Sequence, residues 1–186
     1  MTLLILGLAL WVGAHLFKRL VPSVRASMGE KGKVPIALIL VVSVVLMVIG
    51  YRSAEGAIYW GRTPAMTGIN NLLMLLAFYV YSVGATPPGR PRVWLGTKLR
   101  HPQLTGFSIF AVAHLLVNGD VPSFVLFGGL LVWALIEIVL INAQEGRWTP
   151  PAQAPARKEA LIAGVAVVIL AVVMLIHNWL GVQPWG

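Results

Sequence analysis

The chain has no cysteine. That excludes disulfides, iron–sulfur clusters and thiolate-ligated haem, and also covalently attached c-type haem, which needs Cys-x-x-Cys-His. Charge is scarce as well. Only 11% of the 186 residues are Asp, Glu, Lys or Arg, against about 25% in an average soluble domain. Acid is the rarer sign, with 6 acidic residues against 14 basic ones. What remains is 58% hydrophobic, and the mean hydropathy is +0.84. The sequence therefore describes a membrane protein in one compact domain over 1–186, with no room for a soluble catalytic domain.

The net charge of +8 does not point to nucleic acid. The basic residues sit in loops between apolar runs, where membrane topology accounts for them. The segment Met1–Leu8 lacks a basic n-region and no Ala-x-Ala site follows, so it reads as a retained helix.

A spanning helix needs about 20 mostly apolar residues. Six runs meet or approach that: 2–20, 34–51, 67–85, 103–118, 121–142 and 159–180. The expected fold class is all-α, a polytopic membrane helix bundle. Pro35, Pro102 and Pro122 fall at or near helix starts, where a missing N–H does no harm. The short turn Asn118-Gly119-Asp120 makes the fourth and fifth helices antiparallel neighbours. Twelve of the 14 Lys and Arg lie after the first, third and fifth helices, and only Arg52 and Arg62 lie on the other side. Cytoplasmic loops carry that excess. Both termini are then periplasmic, and the expected location is a bacterial inner membrane. No internal repeat is visible, and no Gly or Pro break interrupts a span, which argues against a transporter.

Imidazole is costly in hydrocarbon, so a histidine inside a span marks a functional site. There are four histidines. His101 precedes Pro102 at a helix start, where an interfacial role and a functional one are equally supported. His114 lies 12 residues after Pro102, about 18 Å along the axis and past the midplane. A hydrogen bond to a neighbouring helix would account for it, but function is favoured because an idle buried imidazole costs stability. His15 lies about 20 Å into the first helix. His101 and His114 are too far apart on one straight helix to share a metal, so a partner must come from another helix, and His15 is the best candidate. The depths of His15 and His114 differ by about 5–10 Å on this reading, an offset that axial ligands on a tilted porphyrin can bridge. His177, near the end of the last helix, reads as a member of an interfacial aromatic belt. Glu137, among apolar neighbours in the fifth helix, is a candidate for a functional carboxyl group. Asn70 and Asn71 read as helix–helix glue. Of the tryptophans, only Trp11 and Trp133 lie deep enough to flank a flat cofactor, and packing explains them equally well.

His15, the stretch Arg100-His101-Pro102-Gln103-Leu104-Thr105-Gly106-Phe107 and the stretch His114-Leu115-Leu116-Val117-Asn118-Gly119-Asp120 together resemble the NnrU family of bacterial integral membrane proteins, over nearly the whole chain. Arg-His-Pro alone is shared with membrane methyltransferases of the isoprenylcysteine type. The family name is tied to nitrite and nitric oxide reduction, and a relative is the 15-cis-zeta-carotene isomerase, a membrane enzyme that uses haem b. The resemblance implies haem b as cofactor, with His15 and His114 as the axial ligands of its iron. It implies a further catalytic part for His101; Glu137 is a second catalytic candidate on its position alone. It departs from the plant enzyme in lacking the N-terminal extension and the cysteine near the second ligand, so a mechanism that needs that cysteine does not operate here.

Several functions fit this reading, and whether the chain is an enzyme stays open. Haem-dependent isomerisation of a polyene and redox or diatomic-gas chemistry are the leading pair. A non-catalytic accessory or assembly factor for a respiratory reductase is the alternative. A methyltransferase ranks last, because Glu145-Gly146-Arg147-Trp148-Thr149-Pro150 poorly matches the second element such enzymes carry. The expected partners are membrane lipid, an apolar small molecule or a diatomic gas, and a second copy or a respiratory protein.

Overall fold

The computed structural model describes residues 1–87 and 89–185. Its helices are α1 (Thr2–Leu20), the short α2 (Pro22–Ser27), α3 (Lys33–Ser53), α4 (Pro64–Gly84), α5 (Pro102–Val117), α6 (Val121–Glu145) and α7 (Ala156–Trp179). Five of these stretches are long and apolar enough to cross a membrane, and α5 is a shorter apolar helix of 16 residues. The bundle is thus the all-α membrane fold that the hydropathy pattern specifies. Large apolar side chains on α3 and α7, such as Leu38, Val41, Leu161 and Val168, point outward, as they must when the surrounding solvent is hydrocarbon.

Contacts at the helix ends show the five long helices and the shorter α5 running in alternating directions. A Cβ on Gly50 would run into the backbone of Leu4, so the start of α1 lies beside the end of α3. Strand β1 (Ile58–Trp60), after α3, pairs antiparallel with β2 (Gly119–Asp120), after α5. Arg62 donates to Gln183 O, and Asn71 Nδ2 donates to Pro184 O at 3.0 Å, which brings the last residues to the same end. We call this the terminal end. At the opposite, basic end the 86–100 and 145–158 loops meet: Arg92 N–H donates to Ala152 O at 2.9 Å and Ala154 N–H donates to Arg92 O at 2.7 Å. There Glu159, in the first turn of α7, accepts from Tyr79 OH at 2.8 Å and from Trp94 N–H at 2.5 Å.

Two antiparallel pairs, α1 with α3 and α4 with α5, are the most extensively packed, α6 joins α1 to α5, and α7 leans on α4. The pairs are close because small residues sit at the crossings. A Cβ on Gly106 would lie 2.7 Å from both Ala77 O and Tyr81 N, and one on Gly7 would lie 2.7 Å from Met47 N.

Two details differ from the sequence expectation. Helix α4 begins three residues earlier than expected, because Thr63 accepts from Met66 N–H at 3.2 Å and Pro64 occupies the first turn. Helix α6 contains a π-helical turn at Phe124–Gly128, which swings Phe127 toward α5. Helix α5, close to its expected bounds, is only about 24 Å long at 1.5 Å per residue, shorter than a full span. We expect Gly106→Val to destabilise the bundle by about 1–3 kcal/mol. Gly164→Ala, at a position with open space around the added Cβ, should leave thermal unfolding in detergent unchanged.

Candidate functional site

The terminal end carries an apolar cavity of about 520 Å³ between α4, α5, α6 and α7. That is within the range of roughly 300–1,000 Å³ usual for small-molecule sites. Met74, Phe78, Phe110 and Phe127 form its walls, His114 and His177 supply its imidazoles, and Arg62 and Asn71 sit at its rim. Phe127 is in place because of the π turn, and its ring stacks on His114 with centroids 4.6 Å apart. Phe110 covers another side of the same imidazole, 4.3 Å away. Single-turn π bulges are frequent at functional sites.

Both imidazoles are oriented by the same device. His114 Nδ1 lies 3.0 Å from Phe110 O, and His177 Nδ1 lies 2.8 Å from Val173 O. A carbonyl only accepts, so Nδ1 carries a proton in each ring, and the lone pair of the neutral ring is the one on Nε2. That is the arrangement in which a histidine ligates a metal.

His15 lies elsewhere. Its Nδ1 donates to Trp11 O at 2.9 Å, and its ring packs 4.2 Å from Trp11 and 4.6 Å from Trp133. Phe107 stacks beyond Trp11 and touches Phe110, so an aromatic wall separates His15 from the cavity. The depths agree with this. His15 is about 20 Å from the terminal end, while His114 is about 6 Å from it, four residues before Asn118. The offset is about 14 Å, larger than the sequence estimate, because α5 is short. His114 is therefore brought together with His177 and not with His15.

His101 and Glu137 belong to the basic end. His101 Nε2 donates to Asn142 Oδ1 at 2.9 Å. Glu137 is buried and lies 3.7 Å from Arg19 Nε, and Arg19 Nη2 reaches Glu145 at 2.8 Å. Trp11 Nε1, Trp133 Nε1 and Glu137 Oε2 are buried with no hydrogen-bond partner among the described residues. Asn70 and Asn71 join each other and the chain end, as glue does, but they also line the cavity. His177 is the cavity residue that sequence reasoning set aside. Its place three residues from the end of α7, matched to the height of His114, was the available signal.

Among the described residues no three His, Asp or Glu side chains gather as for an isolated metal ion. The pattern for NnrU protein matches residues 3–184. The chain belongs to the NnrU family. No curated protein and no solved structure matches it. In this NnrU-family protein an imidazole-bearing cavity at the terminal end is thus separate from a carboxylate–guanidinium cluster toward the basic end, and His15 lies in neither.

The Arg19–Glu137 contact is a partly buried ion pair, so removing one partner strands the other. Arg19→Ala should lower stability by about 1–3 kcal/mol. Arg19→Ala combined with Glu137→Leu should recover most of that loss in thermal unfolding.

Proposed function

We propose that this protein binds haem b and an elongated apolar molecule within the membrane. The observation that carries the reading is that two imidazoles, each with Nε2 free, share one apolar cavity. The donor set fits the group: neutral imidazole nitrogens suit haem iron, and Arg62 at the rim suits a propionate. His114 and His177 would hold the iron from the protein side. When bound, the group would supply polarisation of a double bond or uptake of a diatomic gas at the position that one of the two imidazoles would have to give up.

The protein's own contribution is orientation and dryness. Phe110 and Phe127 fix the His114 ring by packing, the backbone carbonyls fix its tautomer, and the apolar walls keep water out. A second apolar cavity of about 330 Å³, lined by Tyr81, Gly106, Phe107 and Ile169, shares Phe78 and Phe110 with the first. The two form a groove along α4 and α5, suited to a long polyene. This shape favours cis–trans isomerisation of a carotenoid-like substrate over nitric oxide chemistry, which needs no groove. Membership of the NnrU family supports a link to either. The basic loops support residence in a bacterial inner membrane with both termini periplasmic.

The test is the dithionite-reduced absorption spectrum and pyridine haemochrome of protein from haem-supplied cells. We expect about one b-type haem per chain, lost in His114→Ala and in His177→Ala and kept in His15→Ala. Loss in His15→Ala with retention in His177→Ala would restore the His15–His114 pair, and a protein that stays colourless after haem reconstitution would refute the reading.

A further inference from the structure

At the basic end, away from the histidine cavity, a pocket of about 380 Å³ is lined by Arg19, Arg90, Arg92, Arg100 and His101, with Trp148 beside them and Glu145 as its one carboxylate. That carboxylate is already taken. Arg19 Nη2 binds it at 2.8 Å, Arg100 Nη2 lies 3.7 Å from it, and Arg100 Nη1 donates to Gly146 O at 2.6 Å. Arg90 and Arg92 make no ion pair or side-chain hydrogen bond among the described residues. Four guanidiniums facing one carboxylate form a concave, strongly positive site, and guanidinium forks match phosphate oxygens in pairs.

The surroundings decide which phosphate. A smaller cleft of about 190 Å³ adjoins the pocket, sharing Arg92, Arg100, His101 and Ile141 with it and adding Gly84, Pro102, Gln103 and Leu104. It leads from the arginines past Gln103 onto Pro102 and Leu104 of α5 and Ile141 of α6. A charged head over an apolar cleft matches a phospholipid better than a free metabolite. Basic pockets between helices on the cytoplasmic side are where anionic headgroups bind. We propose that this pocket holds the phosphate of an anionic phospholipid, with an acyl chain leaving along the Leu104–Ile141 cleft.

The experiment is native mass spectrometry of the full chain in neutral detergent, with phosphatidylglycerol and phosphatidylcholine of the same acyl chains. Wild type should retain phosphatidylglycerol in preference. Arg90→Gln with Arg92→Gln should cut that preference about tenfold and leave the melting temperature unchanged. Lys31→Gln with Lys33→Gln, at the same end but outside the pocket, should leave the preference intact. A second arm adds glycerol 3-phosphate and follows thermal stability. Stabilisation by it with no lipid preference would keep the phosphate site and overturn the lipid as its occupant. No preference and no stabilisation, or a preference the Arg90/Arg92 variant retains, would overturn the site.

Discussion

The turn between α5 and α6 sets the geometry of the bundle. Asn118 Nδ2 donates to His114 O at 2.8 Å and so closes α5. Asp120 accepts from Ser123 N–H and Ser123 Oγ, both at 2.9 Å, and so opens α6. Gly119 lies so close under the Trp60 ring that any Cβ would collide with it, while Trp60 Nε1 donates to the carbonyls of Leu115 and Leu116 at 3.3 and 3.2 Å. Tyr51 OH meets Ser123 Oγ at 2.8 Å. Helix ends leave carbonyl and amide groups unpaired, and in or near a bilayer these must find partners within the protein. Here the α3–α4 connection supplies them. The turn therefore fixes the height of His114, the start of α6 and, through α6, the π turn that delivers Phe127.

The architecture was legible in the sequence because hydrocarbon imposes a coarse and strong code. Runs of about 20 apolar residues, prolines at helix starts and basic loops on alternate sides mark out the five long helices and the shorter α5. The site was legible only in part. His114 stood out as an imidazole deep in an apolar run. Its partner did not, because depth had been reckoned against a standard span and α5 falls short of one. His177 resembled a belt residue, since periodicity cannot tell a side chain at an interface from one turned into a cavity at the same height. Nothing in Phe124–Gly128 announces a π turn. The arginine pocket was hidden for another reason: Arg90, Arg92 and Arg100 lie on connections without periodicity, and their charge was fully accounted for by topology until the loops were seen to converge.

The two sites also differ in how they tolerate polarity. In the cavity each imidazole satisfies Nδ1 within its own helix, so no neighbour has to move to accommodate it. In the cluster near α1 the groups depend on other helices: Glu137 on α6 needs Arg19 on α1, and Gln144 Nε2 donates to Arg19 O at 3.0 Å. Self-contained polar groups leave a cavity free to change its contents. Cross-helix ones stitch the bundle together.

The shortness of α5 has a consequence for traffic. An imidazole about 6 Å below the terminal end stands beneath a thin roof made by the last residues, where Arg62 and Asn71 hold the carbonyls of Gln183 and Pro184. Those tethers are two hydrogen bonds, about 1 kcal/mol for the neutral Asn71 amide and about 1.5–3 kcal/mol for the charged Arg62. A molecule entering from that side would meet His114 and His177 without crossing the centre of the bilayer.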